Sequence, residues 1–151
     1  MSSARAWRLA GALCGVVVIL DQAAKALVEA KMYPGQDVDL LGPIGLTLSH
    51  NSGVAFGLAS GGGIRLVLVT ALALGVVGYL FWRDPTRPGM WAAAGLLAGG
   101  AIGNLADRIR VDAVTDYVAI ASWPAFNLAD VAVTAGVLLL AYAYVREDAA
   151  R

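Results

Sequence analysis

The sequence predicts an all-α membrane protein with four transmembrane helices, a small extracytoplasmic β-hairpin or sheet, and both termini in the cytoplasm. Three observations predict it. Hydrophobic residues make up 59% of the 151-residue chain and charged residues only 15%, against about 25% charged in an ordinary soluble domain, and the mean hydropathy is +0.70. Four runs, 9–20, 66–82, 90–106 and 131–145, carry no charge at all. The arginines outside the runs also favour one side of the implied bundle.

Each run needs residues added at its ends, because spanning about 30 Å of hydrocarbon takes roughly 20 residues at about 1.5 Å each. The expected helices are about 7–30, 64–82, 90–107 and 127–146, with an outer loop at about 31–63, all in a single domain, 1–151. The first run is short, and Arg5 and Arg8 before it with Ala23 and Ala24 behind it also suit a cleaved signal sequence. Against that reading, Asp21 and Lys25 sit badly in a small-residue cleavage site, and removing the segment would leave three spans. Arg5 and Arg8, Arg83 and Arg87, and Arg146 and Arg151 mark the cytoplasmic ends. The loops 31–63 and 107–123 then face outward, their bases Lys31, Arg65, Arg108 and Arg110 matched by nearby acids. Trp7, Trp82 and Trp91 are expected at one interface and Tyr33, Tyr117 and Trp123 at the other. In the outer loop, Val38 and Leu40, then Ile44, Leu46 and Leu48, alternate on either side of Gly42-Pro43, a hairpin signal. Gly61-Gly62-Gly63 supplies a loose link into the second helix.

Composition excludes several classes of function. Eleven basic and eleven acidic side chains cancel, and no basic stripe stands out, so nucleic acid is not an expected partner. Cys14 is the one cysteine and His50 the one histidine, which leaves no internal disulfide and no metal-ligand spacing. Cys14 reads as a small apolar residue of the bundle.

The polar residues that remain collect at one end. Asp21 and Lys25 are four apart with the acid N-terminal, the order that favours an ion pair along one helix face; it reads either as a self-neutralising structural pair or as part of a site. Gly95, Gly99 and Gly103 repeat every four residues, the small-residue spacing that lets backbones approach. Beside them Gly100, Asn104 and Arg108 form a second row with Asp107 adjacent. An amide and a guanidinium one turn apart make a donor-rich strip for a carbonyl, a carboxylate or a headgroup, unless Asp107 and Arg108 merely cap the helix in water. Asp116 and Asp130 are the candidate chemistry, because ionisable groups at a membrane segment mark function by default. Two carboxyls a few ångströms apart cannot both ionise easily, so they share one proton and present one base and one acid to an amide bond. Spacing alone shows only that 117–129, with Pro124, can form an outer turn bringing both acids to one level. The alternative is that each acid caps a helix N-terminus or sits in headgroup water.

Five blocks stand in order: Asp21-Gln22-Ala23-Ala24-Lys25; His50-Asn51-Ser52-Gly53-Val54-Ala55-Phe56; Gly99-Gly100-Ala101-Ile102-Gly103-Asn104-Leu105-Ala106-Asp107-Arg108; Val114-Thr115-Asp116-Tyr117; and Phe126-Asn127-Leu128-Ala129-Asp130. Together they resemble the signal peptidase II family of bacterial lipoprotein signal peptidases, which are membrane aspartyl proteases. The resemblance implies a multi-pass enzyme of the bacterial cytoplasmic (inner) membrane, with its active site near the outer leaflet. It removes the signal peptide from diacylglyceryl-modified prolipoproteins, cutting N-terminal to the lipidated cysteine. It further implies that Asp116 and Asp130 are the catalytic pair and that Asn51, Asn104, Arg108 and Asn127 bind substrate. Asp21 and Lys25 would support the site, with no metal and no cofactor. The expected partners are the lipid-modified prolipoprotein and membrane lipid, and a monomer is the simplest state. The glycine-rich stretch 52–63, with Phe56, is expected to be a mobile cover.

A small four-helix proton-coupled transporter using Asp116 or Asp130 is the rival from another class. Transporter sites lie near the midplane, where this chain has Val16, Gly75 and Leu138. A helper subunit assembling through the glycine row would explain Gly95, Gly99 and Gly103 but not the two aspartates.

Overall fold

The computed structural model describes residues 1–52 and 62–148, with side chains described for 1–52 and 67–146. The chain runs α1 (Ser3–Lys31), β1 (Asp37–Leu41), β2 (Ile44–Asn51), α2 (Gly62–Arg83), α3 (Met90–Val111), β3 (Val114–Ile120), β4 (Trp123–Phe126) and α4 (Leu128–Asp148). The proposed cover over 52–63 falls largely outside the described residues.

Four helices form the bundle, and α3 is its centre, packing most extensively on α4 and α1. Its two rows of small residues explain why. A Cβ on Gly99 would lie 2.7 Å from Val17 Cβ and one on Gly103 2.6 Å from Asp21 Oδ2, so this face admits α1 only because it is bare. One position along, Gly100 lies against the Ala129 carbonyl and Val133, giving α4 the same close approach on the neighbouring face. Away from the sheet, Ala6, Ala10, Phe81, Met90 and Ala94 form a buried apolar cluster, with Val77, Leu80 and Trp91 around it. Trp7 stacks obliquely on Phe81 with ring centroids 4.5 Å apart.

Large apolar side chains point outward along the helices, among them Ile19, Leu27, Leu72 and Leu138. Water would make that arrangement costly, and hydrocarbon does not. Among the described residues two helical segments, Ser3–Lys31 and Leu128–Arg146, are long and apolar enough to cross a membrane, and Val67–Arg83 is a shorter apolar helix.

The expected hairpin is half of a larger sheet. Strands β1 to β4 form one antiparallel sheet in sequence order. Asp37 pairs with Thr47 across the first ribbon, Ser49 with Asp116 across the second, and Val118 with Phe126 across the third. Gly42 turns the first hairpin at φ 55° and Ala121 the second at φ 47°, and the Ala121 amide donates to the Pro43 carbonyl at 2.8 Å, joining the two tips. The segment expected as a plain outer turn between the aspartates is therefore the β3–β4 hairpin. The run Val114–Ile120 is rich in β-branched and aromatic residues, which favour a strand, and it pairs both with β2, far away in sequence, and with adjacent β4.

Candidate active site: two carboxylates on one asparagine

The site forms where the sheet meets the ends of α1, α3 and α4. Asp116 projects from β3 and Asp130 from the first turn of α4, and Asn127 joins them. Its side-chain Nδ2 donates to Asp116 Oδ1 at 2.7 Å, and its backbone N–H donates to Asp130 Oδ2 at 3.2 Å. The Asp130 amide returns a bond to Asn127 Oδ1 at 3.0 Å. Asn127 and Asp130 thus form a reciprocal cap on α4. Leu128 and Ala129 donate their amides to the Tyr117 hydroxyl at 3.2 Å and to Asp21 Oδ1 at 3.0 Å. Every N–H of this first turn has a fixed acceptor, which pins the base of α4 and with it Asp130.

The remaining oxygens are held by other elements. Asn51, at the end of β2, donates from Nδ2 to Asp116 Oδ2 at 3.1 Å. Asn104, on α3, donates from Nδ2 to Asp130 Oδ1 at 2.8 Å. The Arg108 guanidinium lies one turn further along, donating to the Asn104 carbonyl at 3.2 Å and within electrostatic reach of Asp130, Asp116 and Asp107. All eight side chains singled out from sequence, Asp21, Lys25, Asn51, Asn104, Arg108, Asp116, Asn127 and Asp130, belong to one hydrogen-bonded network. Burial pushes the Asp116 carboxyl up from 3.8 to about 6. The Asn51 bond pulls against this, the Asp130 charge adds to it, and the Asn127 bond and Lys25 charge also pull down. Asp116 is poised to exchange a proton near neutrality.

Beneath the carboxylates lies a fully buried ionic cluster. Lys25 Nζ contacts Asp21 Oδ2 at 2.8 Å and Asp107 Oδ2 at 2.7 Å, and all three side chains have no solvent exposure. Gln22 donates to Asp21 at 3.2 Å and to Asp107 at 3.0 Å. Asp107 also accepts the Thr115 amide at 3.3 Å, and the Thr115 hydroxyl donates to Glu29 at 2.6 Å. These bonds fasten β3 to α1 and α3 one residue before Asp116.

Gln22, Glu29, Asp107, Thr115 and Tyr117 were not among the site residues expected from sequence. Asp107 does not cap α3 in water; it is enclosed and paired with Lys25. Tyr117 is buried, and its hydroxyl accepts the Leu128 amide of α4. A signal for Glu29 was present: Asp21, Gln22, Lys25 and Glu29 share one face of α1 by helical spacing. Thr115 carried none, since its role depends on β3 lying against α1.

A groove of about 360 Å³ opens beside Asp130, lined also by Trp123, Phe126 and, along α4, Val131, Thr134, Ala135 and Leu138. An apolar trough ending on a carboxylate suits a ligand with a hydrophobic body and a polar reacting centre. Among the described residues no group of three or more His, Cys, Asp or Glu side chains is placed to hold a metal ion.

Fold and site together define a helical membrane protein with two carboxylates held on one asparagine at one end of its bundle. The family model described as "Signal peptidase (SPase) II" matches residues 13–146. A lipoprotein signal peptidase of Pelotomaculum thermopropionicum is 41% identical, covering 90% of this chain and 91% of its own length. One from Mycobacterium leprae is 39% identical over 90% of this chain and 71% of its own. A solved bacterial membrane enzyme superposes with a TM-score of 0.83 at 30% identity, covering 89% of this chain and 91% of that one. The chain belongs to the signal peptidase II family.

Proposed function

We propose that this protein is a membrane aspartyl endopeptidase that removes the signal peptide from diacylglyceryl-modified prolipoproteins. It cuts on the N-terminal side of the lipidated cysteine, with Asp116 and Asp130 as the catalytic pair. The observation that carries this reading is the anchoring of both carboxylates on Asn127, beside a groove open to an apolar substrate.

One proton is shared between the two carboxyls. The carboxylate lacking it takes a proton from a water molecule as the water oxygen bonds to the scissile carbonyl carbon. The protonated carboxyl simultaneously gives its proton to the carbonyl oxygen, and a neutral gem-diol results. In the second step the first carboxyl returns its proton to the amide nitrogen and the C–N bond breaks. A diol hydroxyl releases its proton to the other carboxylate, which restores the starting state. Asn51, exposed at the end of β2, and Arg108, partly exposed on α3, bind the peptide backbone, as does the accessible edge of Asn104. Asn127 has no exposure and acts on the substrate through the carboxylates it holds.

The same reading gives four membrane-crossing helices, both termini in the cytoplasm, and the sheet with the dyad at the outer leaflet of the bacterial inner membrane. There the acyl chains of the substrate stay in lipid while its cysteine reaches the carboxylates. No observation favours the proton-carrier alternative: the polar side chains converge at one end of the bundle rather than along a transmembrane path.

The test is cleavage of a diacylglyceryl-modified prolipoprotein by the reconstituted protein. Asp116→Asn and Asp130→Asn should each lower kcat by at least about 10²-fold while remaining folded and inserted. A folded amide variant that cleaves at the parental rate would exclude the mechanism.

A further inference from the structure

The amides around the dyad have a direction, and at Asn104 one side chain determines it. Lys25 Nζ donates to Asn104 Oδ1 at 3.0 Å. An ammonium has three protons and no acceptor, so it accepts only the oxygen end of that amide. With Oδ1 turned to Lys25, Asn104 presents Nδ2 to Asp130 Oδ1 at 2.8 Å. The same Oδ1 accepts from Asn127 Nδ2 at 3.1 Å. The second amide is held in the matching sense by partners of its own: its Nδ2 reaches Asp116 Oδ1 at 2.7 Å and the Thr115 carbonyl at 3.3 Å, and its Oδ1 receives the Asp130 N–H at 3.0 Å.

We propose that Lys25 is a positioning residue that sets the polarity of Asn104, so that this amide turns its oxygen to Lys25 and Asn127 and presents only its donor to Asp130. The proposal rests on the aspartyl peptidase reading and adds a direction to it. An amide reversed at either position would aim an oxygen at a carboxylate, which would be repulsive unless that carboxyl held the proton. Reversal would trap the shared proton on one oxygen, whereas donors on all sides leave it free to pass between base and acid. Lys25 is well suited to this role because it cannot turn away: Asp21 and Asp107 hold its other protons, and none of the three side chains is exposed. The nearest charged groups bearing on the cluster are Asp21 on its own helix, Asp107 on α3, and Arg110, whose Nη2 lies 3.5 Å from Asp107.

Removing Lys25 alone would strand two buried acids, so the test uses pairs that keep the net charge of the cluster. Lys25→Met with Asp107→Asn removes the donor, and Lys25→Gln with Asp107→Asn replaces it with a neutral one. The Met pair should lower kcat on lipidated prolipoprotein at least tenfold with KM changed less than twofold, and the Gln pair should recover most of the loss. Equal kcat in the Met pair and the parent, or a Gln pair as impaired as the Met pair, would overturn the proposal. Should either pair fail to fold, the wild-type protein decides by NMR of 15N-asparagine side chains. Asn104 should give one amide pair, shifted by Asp130→Ala. Two sets of resonances, or no response, would overturn it. Asp116→Asn and Asp130→Asn in the same assay separate the cases: if they are active the peptidase reading fails, and if only the Lys25 result fails the dyad stands.

Discussion

At Asp116 the surroundings work against the ionised form. Burial holds its carboxyl near 6 instead of 3.8. A carboxyl raised on folding stabilises the fold while protonated, below about 4, and loses that contribution as pH climbs through about 6. The effect is on the order of 3 kcal/mol at most. Asp116→Asn cannot ionise, so its melting temperature in detergent should rise relative to wild type between pH 4 and pH 7. A gap that stays constant over that range would show that Asp116 titrates at its ordinary value. The eight candidate residues were singled out in the chain through their types and order. Their bonding was not legible there, because Asn127 and Asp130 are near neighbours on one helix turn while Asp116 arrives on a strand.

The elements reach their separations through bare backbone. At Gly103 a Cβ would lie 2.6 Å from Asp21 Oδ2, and at Gly100 it would run into the Ala129 carbonyl, the turn that carries Asp130. Gly103→Ala and Gly100→Ala should therefore each destabilise by about 1–3 kcal/mol through overpacking, and Gly100→Ala should also reduce kcat. Gly15, with nothing within 4 Å of its missing Cβ, is the control. There alanine should leave stability unchanged or raise it, by up to about 1 kcal/mol of helix propensity. Thermal unfolding and turnover of the three variants check both statements. The small-residue spacing announced a close packing face, and the first β-hairpin was visible in its alternation around Gly42-Pro43. Strands β3 and β4 were expected as a plain turn; a strand is stabilised by cross-strand partners, and β3 takes its own from the distant residues 44–51 as well as from β4.

At the scale of the molecule, an apolar surface surrounds the helices while the ionisable groups of the site are enclosed at one end. A substrate that brings its own acyl chains gains affinity from lipid burial, at about 0.8 kcal/mol per CH₂, and needs few specific peptide contacts. The same prolipoprotein without its diacylglyceryl group should show kcat/KM at least about 10²-fold lower, mostly through KM. Equal kcat/KM for the two substrates would show that the peptide alone supplies recognition.

Composition and hydropathy were enough to predict a helical membrane protein, because the preference of side chains for hydrocarbon adds residue by residue along the chain. The order of short polar blocks was enough to suggest the family, since each block carries its own chemistry. The attachment of Asp116 to the asparagine that caps Asp130's helix, the enclosure of Lys25 between Asp21 and Asp107, and the orientation of the Asn104 amide belong to tertiary structure. Each depends on groups far apart in the chain being brought within about 3 Å, the range in which hydrogen bonds form, and hydrogen-bond direction exists only once both partners are in place.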